Sequence, residues 1–405
     1  MQCRYPFHIG MAGGVILPLS GGGMLTNLTT LAEELRDEGY STHAVGKWHL
    51  GHCSEEYLPT SRGFHHHYGY WLGAEDYYNH TDEYDGHVGY DFRDDLVVDT
   101  SARGVYSTDL FRNRAVEIIE SHDQSSPLFL YLAFQSPHAP LQAPEKYKEL
   151  YDDVEDKDRR EYLGMVTAMD EAVGGVIKSL KKEKMFENTI VVFLSDNGAN
   201  IRQGGSNWPF RGKKGSLWEG ATRTPAFIHG PGLTSRVEQN IFHITDWYPT
   251  IMEIINKNIK GPPIDGIGAW KALTQKSLNW KRNEFVYNLR QTQIDSKNPW
   301  AAIRIGNWKY IWGMADGYAG WEVPSGNGTM EVERLKSKSY TNLLFNLAED
   351  PQEKNNLTSI ETTRALMMQR RLKTHMKTIM HNMFKQHLQA GIPEKHEGIW
   401  STGWC

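Results

Sequence analysis

Two apolar runs decide the fold, Pro127-Leu-Phe-Leu-Tyr-Leu-Ala-Phe134 and Thr189-Ile-Val-Val-Phe-Leu194. Continuous apolar runs of this length are typical of strands buried on both faces, as in a parallel sheet covered by helices. Between them, residues from Asp156 to Lys182 have helical spacing, with one apolar stripe made of Val166, Met169, Val173, Ile177 and Leu180. Strand, helix and strand in alternation predict an open α/β sheet with helices on both faces.

The sequence before these runs predicts further elements of the same sheet. The segment up to about Leu25 is rich in glycine and predicts a loop, and Thr30 with Glu33 forms a capping box. The predicted elements are a helix from Leu31 to Glu38 that Gly39 ends, a strand from Thr42 to Gly46, a long polar and aromatic excursion from His52 to about Arg103, and a helix from Ser107 to Ser121.

The pattern changes after a predicted helix from Asp246 to Asn256. Gly261-Pro262-Pro263 and the polar stretch through Asn283 are typical of a linker. The elements predicted beyond it are strands at Phe285 to Leu289, Ala301 to Ile305, Trp308 to Trp312 and Leu343 to Leu347, a two-residue turn at Gly306-Asn307, and a helix from Glu361 to about Met383. We therefore predict a large domain over residues 1–282 and a smaller α+β domain, built on an antiparallel sheet, over residues 283–405.

Composition excludes several classes of partner. The 405 residues have a net charge of −5 and no basic block, which argues against nucleic acid as a main partner. No uninterrupted apolar run reaches the roughly 18 residues that a transmembrane helix needs. Cys3, Cys53 and Cys405 form neither a disulfide framework nor a metal knuckle at these separations, and the sequence leaves the partners of Cys53 and Cys405 open.

Four Asn-x-Ser/Thr sequons, at Asn27, Asn79, Asn327 and Asn356, favour a secreted or luminal protein. The residues after Met1 show no basic region followed by an apolar stretch of signal-peptide length. Glycan acceptor sites without an export signal lead us to expect an N-terminal segment that the sequence does not contain.

Polar clusters follow three of the predicted strands, where open α/β sheets bind their ligands. The period of an extended strand places Lys47 and His49 on one side of the chain, and His138 lies between two prolines. Asp196 and Asn197 supply oxygen atoms of the kind that Ca²⁺ or Mg²⁺ prefers. A downstream loop adds further cations at Arg211, Lys213 and Lys214.

Each cluster also has a structural interpretation. A histidine after a strand is more often a structural hydrogen-bonding residue, Asp-Asn-Gly is a common turn, and loop lysines are mostly solvated. The common location at strand ends favours the functional interpretation. Together the clusters predict a pocket for a tetrahedral oxyanion, either phosphate or sulfate, beside a divalent ion.

These residues lie in motifs that resemble the sulfatase family. Gly39-Tyr-Ser-Thr-His-Ala-Val-Gly-Lys-Trp-His49 matches the second sulfatase signature in full. Segments that resemble the arylsulfatase B branch, the N-acetylgalactosamine-4-sulfatase group, are Pro59-Thr-Ser-Arg-Gly-Phe64, Gly73-Ala-Glu-Asp-Tyr-Tyr78, Gln135-Ser-Pro-His-Ala-Pro-Leu-Gln142, Ser195-Asp-Asn-Gly198, Asn207-Trp-Pro-Phe-Arg-Gly-Lys-Lys214 and Ser216-Leu-Trp-Glu-Gly220. The resemblance covers nearly the whole chain and continues through Gly306-Asn-Trp-Lys-Tyr310 in the smaller domain.

The resemblance implies a fold and a role for each matching residue. The fold is an alkaline-phosphatase-like mixed sheet sandwiched by helices, and the substrate is a sulfated sugar of a glycosaminoglycan in a lysosomal or secreted setting. Asp196 and Asn197 are implied as metal ligands, normally to Ca²⁺. Lys47 and Lys214 are implied to bind the sulfate oxygens, with Lys214 close to the leaving oxygen. His138 is implied in leaving-group protonation and in substrate binding, and His49 in the base step that releases sulfate.

The sequence departs from the family where the nucleophile belongs. Sulfatases use a formylglycine made from the cysteine of Cys-x-Pro-Ser-Arg, and this motif is absent here; Cys3 does not replace it, since Tyr5 and Phe7 stand where the motif needs other residues. The family's first strand, with its paired aspartates, is absent as well. We therefore expect this chain to be inactive as written, and formylglycine-generating enzyme to be a partner only of a full-length form.

Loss of an interior strand would leave neighbouring strands unpaired and apolar surface exposed to water. That cost favours a missing N-terminal segment over a pseudoenzyme selected in this form. Two alternatives remain open: a non-catalytic protein that binds sulfated glycans, and a phosphate-ester hydrolase of the wider alkaline-phosphatase superfamily. The second would need a serine or threonine nucleophile with more metal ligands, and the sequence offers no such arrangement.

Overall fold

The computed structural model describes residues 1–12, 14–275, 282–289, 300–313, 320–324, 330–333, 342–384 and 387–405. The strands are β1 (Ser41–Lys47), β2 (His66–Tyr70), β3 (Thr81–Tyr84), β4 (His87–Tyr90), β5 (Arg93–Asp94), β6 (Val97–Val98), β7 (Leu128–Ala133), β8 (Val191–Leu194), β9 (Ala226–His229), β10 (Glu284–Leu289), β11 (Trp300–Ile305), β12 (Trp308–Gly313), β13 (Trp321–Pro324), β14 (Met330–Glu333) and β15 (Asn342–Asn346). The α-helices are α1 (Leu31–Asp37), α2 (Ser107–Ser121), α3 (Glu145–Lys148), α4 (Lys157–Lys182), α5 (Glu219–Thr222), α6 (Trp247–Ile254), α7 (Trp270–Thr274) and α8 (Thr362–Met376).

A five-stranded mixed sheet of order β6-β5-β2-β1-β7 forms the centre of the larger part. Strand β1 runs parallel to both β2 and β7, while β5 is antiparallel to β2. Gly46 is required near the end of β1, because it has a φ of 102° and a Cβ there would lie 2.1 Å from the carbonyl oxygen of Ala133. The close approach fixes where β1 ends and therefore where Lys47 begins.

Most predicted helices and strands of this part are confirmed. The predicted helix from Ser107 to Ser121 has those bounds as α2, and α4 begins after Asp156, whose side chain accepts a hydrogen bond from the Arg159 N–H. The predicted capping box of α1 is present, with the Glu33 N–H donating to Thr30 Oγ1 at 3.0 Å. Apart from a short 3-10 turn at Pro6–His8, the first 25 residues contain no helix in their described portion.

No strand was predicted within the polar and aromatic excursion from His52 to about Arg103. It contains β2, which pairs with β1, and the shorter strands β3 to β6. The sequence of β2, His66-His-Tyr-Gly-Tyr70, contains no aliphatic residue, yet its last four residues are buried. Burial here involves tyrosine and histidine rings and a glycine, which a search for apolar runs does not detect. Polar side chains therefore hid a central strand.

The prediction that the two long apolar runs are buried on both faces was wrong, although both form strands. Strand β7 is at the edge of the central sheet and all its residues are half-buried. Strand β8 pairs antiparallel with β9 in a separate two-stranded sheet, and its residues are half-buried too. No described strand pairs with the second edge of either one. The stripe predicted on α4 is also only partly covered, since Val166, Met169, Val173 and Ile177 are half-buried.

The smaller part is an antiparallel sheet of order β10-β11-β12-β15, as predicted. Alternate residues along its strands face two apolar cores. One core contains Ile303 and Tyr310 with Met368 and Leu372 of α8, and the other contains Ile311 and Phe345 with Trp218 of the larger part. The fold is thus an alkaline-phosphatase-like α/β arrangement with a C-terminal antiparallel sheet.

The final segment of the chain returns to the larger part. Trp400 is fully buried beside Leu19 and Leu72, and Ile399 forms a bridge with Tyr90 of β4. Cys53 and Cys405, whose partners the sequence leaves open, form a disulfide with each other across 352 residues of sequence. Sequence separation alone gives no sign of such a pairing.

Among the described helices, none combines the length and the apolar character that crossing a membrane demands.

Candidate active site

Lys47 is the last residue of β1, and the chain beyond it is held to β2. The Trp48 N–H donates to the Tyr70 carbonyl at 3.0 Å, and the His49 N–H donates to the Trp71 carbonyl at 3.0 Å. Burial is the main cause that lowers the pKa of the Lys47 ammonium to about 8; Asp196 opposes this shift and Lys214 adds to it. Lys47 is therefore close enough to Asp196 and Lys214 for their charges to shift its pKa.

His49 is held as a neutral imidazole. Its Nε2 lies 2.9 Å from the Ile16 carbonyl oxygen, and a carbonyl only accepts, so Nε2 carries the proton and Nδ1 is an acceptor. Burial, followed by the charge of Lys47, lowers the pKa of His49 to about 4. The ring is also tightly packed, because a Cβ on Gly73 would lie 2.8 Å from it. His49 is therefore placed to accept a proton at Nδ1.

His138 follows β7 and is fixed by three hydrogen bonds. Its N–H donates to the Gln135 carbonyl at 2.8 Å, and its carbonyl accepts from the Tyr77 hydroxyl at 2.8 Å. Its Nδ1 donates to the Ala139 carbonyl at 2.8 Å, so Nε2 carries no proton when the ring is neutral. Burial first, then the charge of Lys214, lowers the pKa of His138.

Asp196 and Asn197 form the turn after β8. Asp196 is exposed, and its Oδ1 accepts from the Asn197 N–H at 2.8 Å. Asn197 donates its Nδ2 to the Gly198 carbonyl at 3.0 Å. Gly198 packs against the next loop so closely that a Cβ would lie 1.8 Å from the Gly220 carbonyl oxygen. The turn after β8 therefore packs directly against the backbone that follows Lys214.

Asn207 joins the two loops and is a residue that sequence reasoning missed. Its Oδ1 accepts from the Ala199 N–H at 2.7 Å, and its Nδ2 donates to the carbonyls of Ala199 at 3.0 Å and Gly212 at 3.1 Å. The Lys214 N–H also donates to the Ala199 carbonyl at 3.1 Å. A polar residue before a Trp-Pro pair is the signal that marks Asn207, but nothing local shows its partners.

The structure brings the predicted site residues to one place. The charge of Lys214 lowers the pKa of both Lys47 and His138, and the charge of Asp196 acts on the same two groups in the opposite direction. His49 responds to Lys47, His138 and Lys214 in the same way. Two ammonium groups, two imidazoles and one carboxylate thus lie within electrostatic range of one another near the ends of β1, β7 and β8, and we call the place where they meet the candidate cleft. Such a set of charges is suited to a small oxyanion.

The described residues do not complete a calcium site. Ca²⁺ takes about six to eight oxygen ligands, whereas the turn offers the side chains of Asp196 and Asn197. Within the described ranges, no group of three or more His, Cys, Asp or Glu side chains is arranged to hold a metal ion.

Cys3 is not placed as a nucleophile. Its side chain is 6% exposed and packs with Leu35 and Met252. Burial raises the pKa of its thiol to about 12, so the thiolate form is scarce at neutral pH.

Three of the four sequons are accessible. Asn27, Asn79 and Asn356 are exposed, and Asn327 lies outside the described residues. The side-chain oxygen of Asn356 accepts from the Leu344 N–H at 3.1 Å, which holds this asparagine against β15.

Comparison with known proteins identifies the class. The sulfatase family model matches residues 2–257. Mouse arylsulfatase J is 34% identical over 98% of this chain and 70% of its own length, and rat N-acetylgalactosamine-6-sulfatase is 27% identical over 82% of this chain and 64% of its own length. The solved structure of Ps i-CgsB in complex with k-i-k-neocarrahexaose has a TM-score of 0.76 and 25% identity, covering 96% of this chain and 83% of that one.

By family, the protein is therefore an enzyme that hydrolyses sulfate esters. The chain is a member of the sulfatase family, whose enzymes generally use a divalent metal and a formylglycine.

Proposed function

We propose that this protein is a sulfuric ester hydrolase of the arylsulfatase B type, acting on sulfated sugars of glycosaminoglycans. The observation that supports the proposal is that Lys214 and Asp196 both lie close enough to Lys47 and to His138 to shift the pKa values of these two groups. Two ammonium groups offset the charge of a sulfate ester, and a neutral histidine beside them can exchange a proton with the sugar oxygen.

Each side chain has a distinct role in this proposal. Lys47 and Lys214 bind the sulfate oxygens, and Lys214 lies nearer the oxygen that leaves. The Nδ1 proton of His138 is already donated to the Ala139 carbonyl, so its Nε2 must first take up a proton from solvent before the imidazolium can donate that proton to the leaving oxygen. His49 accepts a proton at Nδ1 in the step that frees sulfate. Asp196 and Asn197 would offer two side-chain oxygens to a Ca²⁺ ion, whose remaining ligands the described residues do not provide.

We propose that residues 1–405 alone bind the sulfate ester without turning it over. Support comes from the missing Cys-x-Pro-Ser-Arg motif and from the buried thiol of Cys3. The half-buried strands β7 and β8, each with an edge that no described strand pairs, support a further strand from outside these residues that would bring the nucleophile and the missing ligands.

The setting follows from the same proposal. Exposed sequons at Asn27, Asn79 and Asn356 support a lysosomal or secreted protein, since glycans are added in the secretory route. A sulfated glycan is the substrate partner, and formylglycine-generating enzyme is a partner only of a form that contains the motif.

The binding test uses a 4-sulfated chondroitin tetrasaccharide and calorimetric titration of residues 1–405. We expect binding without release of inorganic sulfate, and an affinity loss of about tenfold or more in Lys47→Ala and Lys214→Ala, because each removes a charge-assisted contact. Lys260→Ala removes an exposed lysine elsewhere and serves as the matched control. Absence of binding, or equal losses in all three variants, would refute the pocket.

A non-catalytic glycan-binding protein is the alternative, favoured by the absent motif. A fusion that adds the first strand and the Cys-x-Pro-Ser-Arg segment of a sulfatase that contains them, produced with formylglycine-generating enzyme, distinguishes the two. Sulfate release by the fusion supports the hydrolase. A folded fusion with modified cysteine that binds the tetrasaccharide but releases no sulfate supports the glycan-binding protein.

A further inference from the structure

The loop that carries Lys214 is anchored at its base to the smaller part of the protein. The Gly220 N–H donates to the Arg211 carbonyl at 2.7 Å, which closes the loop. The Gly212 N–H donates to the Gly320 carbonyl at 3.0 Å, and the Arg211 guanidinium lies 4.7 Å from the ring of Trp321. Both contacts reach across to residues that follow β12.

A buried ionic cluster holds the other side of the same base. Lys309 of β12 has a fully buried side chain, and its Nζ lies 3.0 Å from Glu219 Oε1 and 2.7 Å from Glu353 Oε1. The Tyr287 hydroxyl donates to Glu219 Oε1 at 2.6 Å. A buried ammonium between two buried carboxylates is retained only when its geometry is exact enough to offset desolvation.

The cluster connects directly to the loop through the backbone. The Glu219 N–H donates to Glu353 Oε2 at 2.8 Å, and Arg211 Nη1 donates to the Glu353 carbonyl at 2.8 Å. Glu353 therefore contacts both ends of the loop, residue 211 and residue 219. Trp218, between them, is inserted into the apolar core on one face of the antiparallel sheet.

We propose that Lys309 is a positioning residue for Lys214: by holding Glu219 and Glu353 together, it fixes the base of the loop from which Lys214 reaches the cleft. Lys309 does not touch the cleft and is not catalytic. The antiparallel sheet thus contributes to sulfate binding at a distance. The link to sulfate rests on the proposed function, whereas the positioning of Lys214 does not.

The test reads the two cleft lysines by competitive acetylation and mass spectrometry across pH. In Lys309→Met we expect faster acetylation of Lys214, because its loop is no longer fixed, and a higher pKa of Lys47, because Lys214 has moved its charge away. Protection of both lysines by inorganic sulfate should weaken about tenfold. Lys309→Arg keeps the charge and should restore the wild-type pattern.

The matched control is Arg282→Met, which breaks a buried ion pair with Asp246 and three hydrogen bonds, to Tyr5, Glu284 and Asp265. It should leave the acetylation of Lys214 and the titration of Lys47 unchanged. Equal changes in both methionine variants would show a general loss of stability and overturn the proposal.

A second variant protects the test against misfolding. The combination Lys309→Met, Glu219→Gln and Glu353→Gln removes the carboxylates that would otherwise be buried without a partner. Faster acetylation of Lys214 in this variant supports the proposal, and wild-type behaviour of both lysines refutes it. Failure of sulfate to protect the wild-type lysines would count against the proposed function alone, since the measurements without sulfate stand by themselves.

Discussion

The end of β1, which carries Lys47, and the pair β8–β9, which leads into Asp196, differ in how their strands are held. Strand β1 has a partner on each edge and its residues Ala44 and Val45 are almost fully buried. Strand β8 has one described partner, and Phe227 on that partner is 52% exposed. Lys47 therefore ends a strand that is paired on both edges, whereas Asp196 and Asn197 follow a strand that has one edge without a described partner.

The largest expected effect is on the β1 side, from Gly46→Ala. The new Cβ would clash with the Ala133 carbonyl at 2.1 Å and sit on a backbone with a φ of 102°. We expect a loss of about 4 kcal/mol or more in unfolding free energy, measured by urea denaturation. Gly39→Ala is the control: its φ is 84° but no atom lies within 4 Å, so we expect about 1 kcal/mol. Similar losses at both positions would contradict a rigid β1–β7 pairing.

The next effect depends on pH and concerns His67, the buried neighbour of Gly46 in β2. Burial lowers the pKa of His67 from 6.5 to about 4. Between these two pH values, this histidine is protonated in the unfolded chain and neutral in the folded protein. Stability is therefore complete above the unfolded value and is lost as the pH falls through 6.5 towards 4. When the pH is lowered from about 7.5 to 4, we expect the unfolding free energy, measured by urea denaturation, to fall by about 3 kcal/mol less in His67→Gln than in the wild type.

The control for this measurement is His66→Gln in the same strand, where the side chain is 62% exposed. It should lose as much stability as the wild type over the same pH range. Glu75 acts in the opposite direction, because burial raises its pKa to about 7 and its contribution is lost as the pH rises through that value. An unchanged pH dependence in His67→Gln would show that this imidazole is not buried as described.

A smaller effect is expected on the open side, from Phe227→Ser. The ring stacks on Phe193 at 5.3 Å but remains half-exposed, so its loss should cost about 0.5 kcal/mol or less and should reduce aggregation. Val45→Ala in β1 should cost about 2 kcal/mol in the same denaturation experiment, because that side chain is 1% exposed. A large loss in Phe227→Ser would mean that β8–β9 is as well covered as β1.

The smallest effect is expected from calcium. Because Asp196 and Asn197 alone do not enclose an ion, the melting temperature of residues 1–405 should be the same in calcium chloride and in a chelator. A calcium-dependent rise in melting temperature would reveal ligands that the described residues do not show.

Sequence reasoning found what depends on local chemistry. The apolar spacing of α2 was enough to predict that helix, and the apolar runs were enough to place Lys47 and His138 near the ends of strands. It failed where the answer depends on distant neighbours. The apolar run in β7 is the same whether or not another strand pairs with it, so burial could not be predicted. Asn207 and Lys309 act through contacts with segments far away in the chain, and their neighbours in sequence do not indicate these roles.

The bond between Cys53 and Cys405 has a consequence for how the cleft is made. Cys53 lies four positions after His49, so the turn that presents this imidazole is covalently attached to residue 405. Residue 405 must therefore be synthesised before this disulfide can form, and both thiols must then be in an oxidising compartment. Synthesis in a reducing cytosol should yield a chain whose His49 turn is held by hydrogen bonds alone.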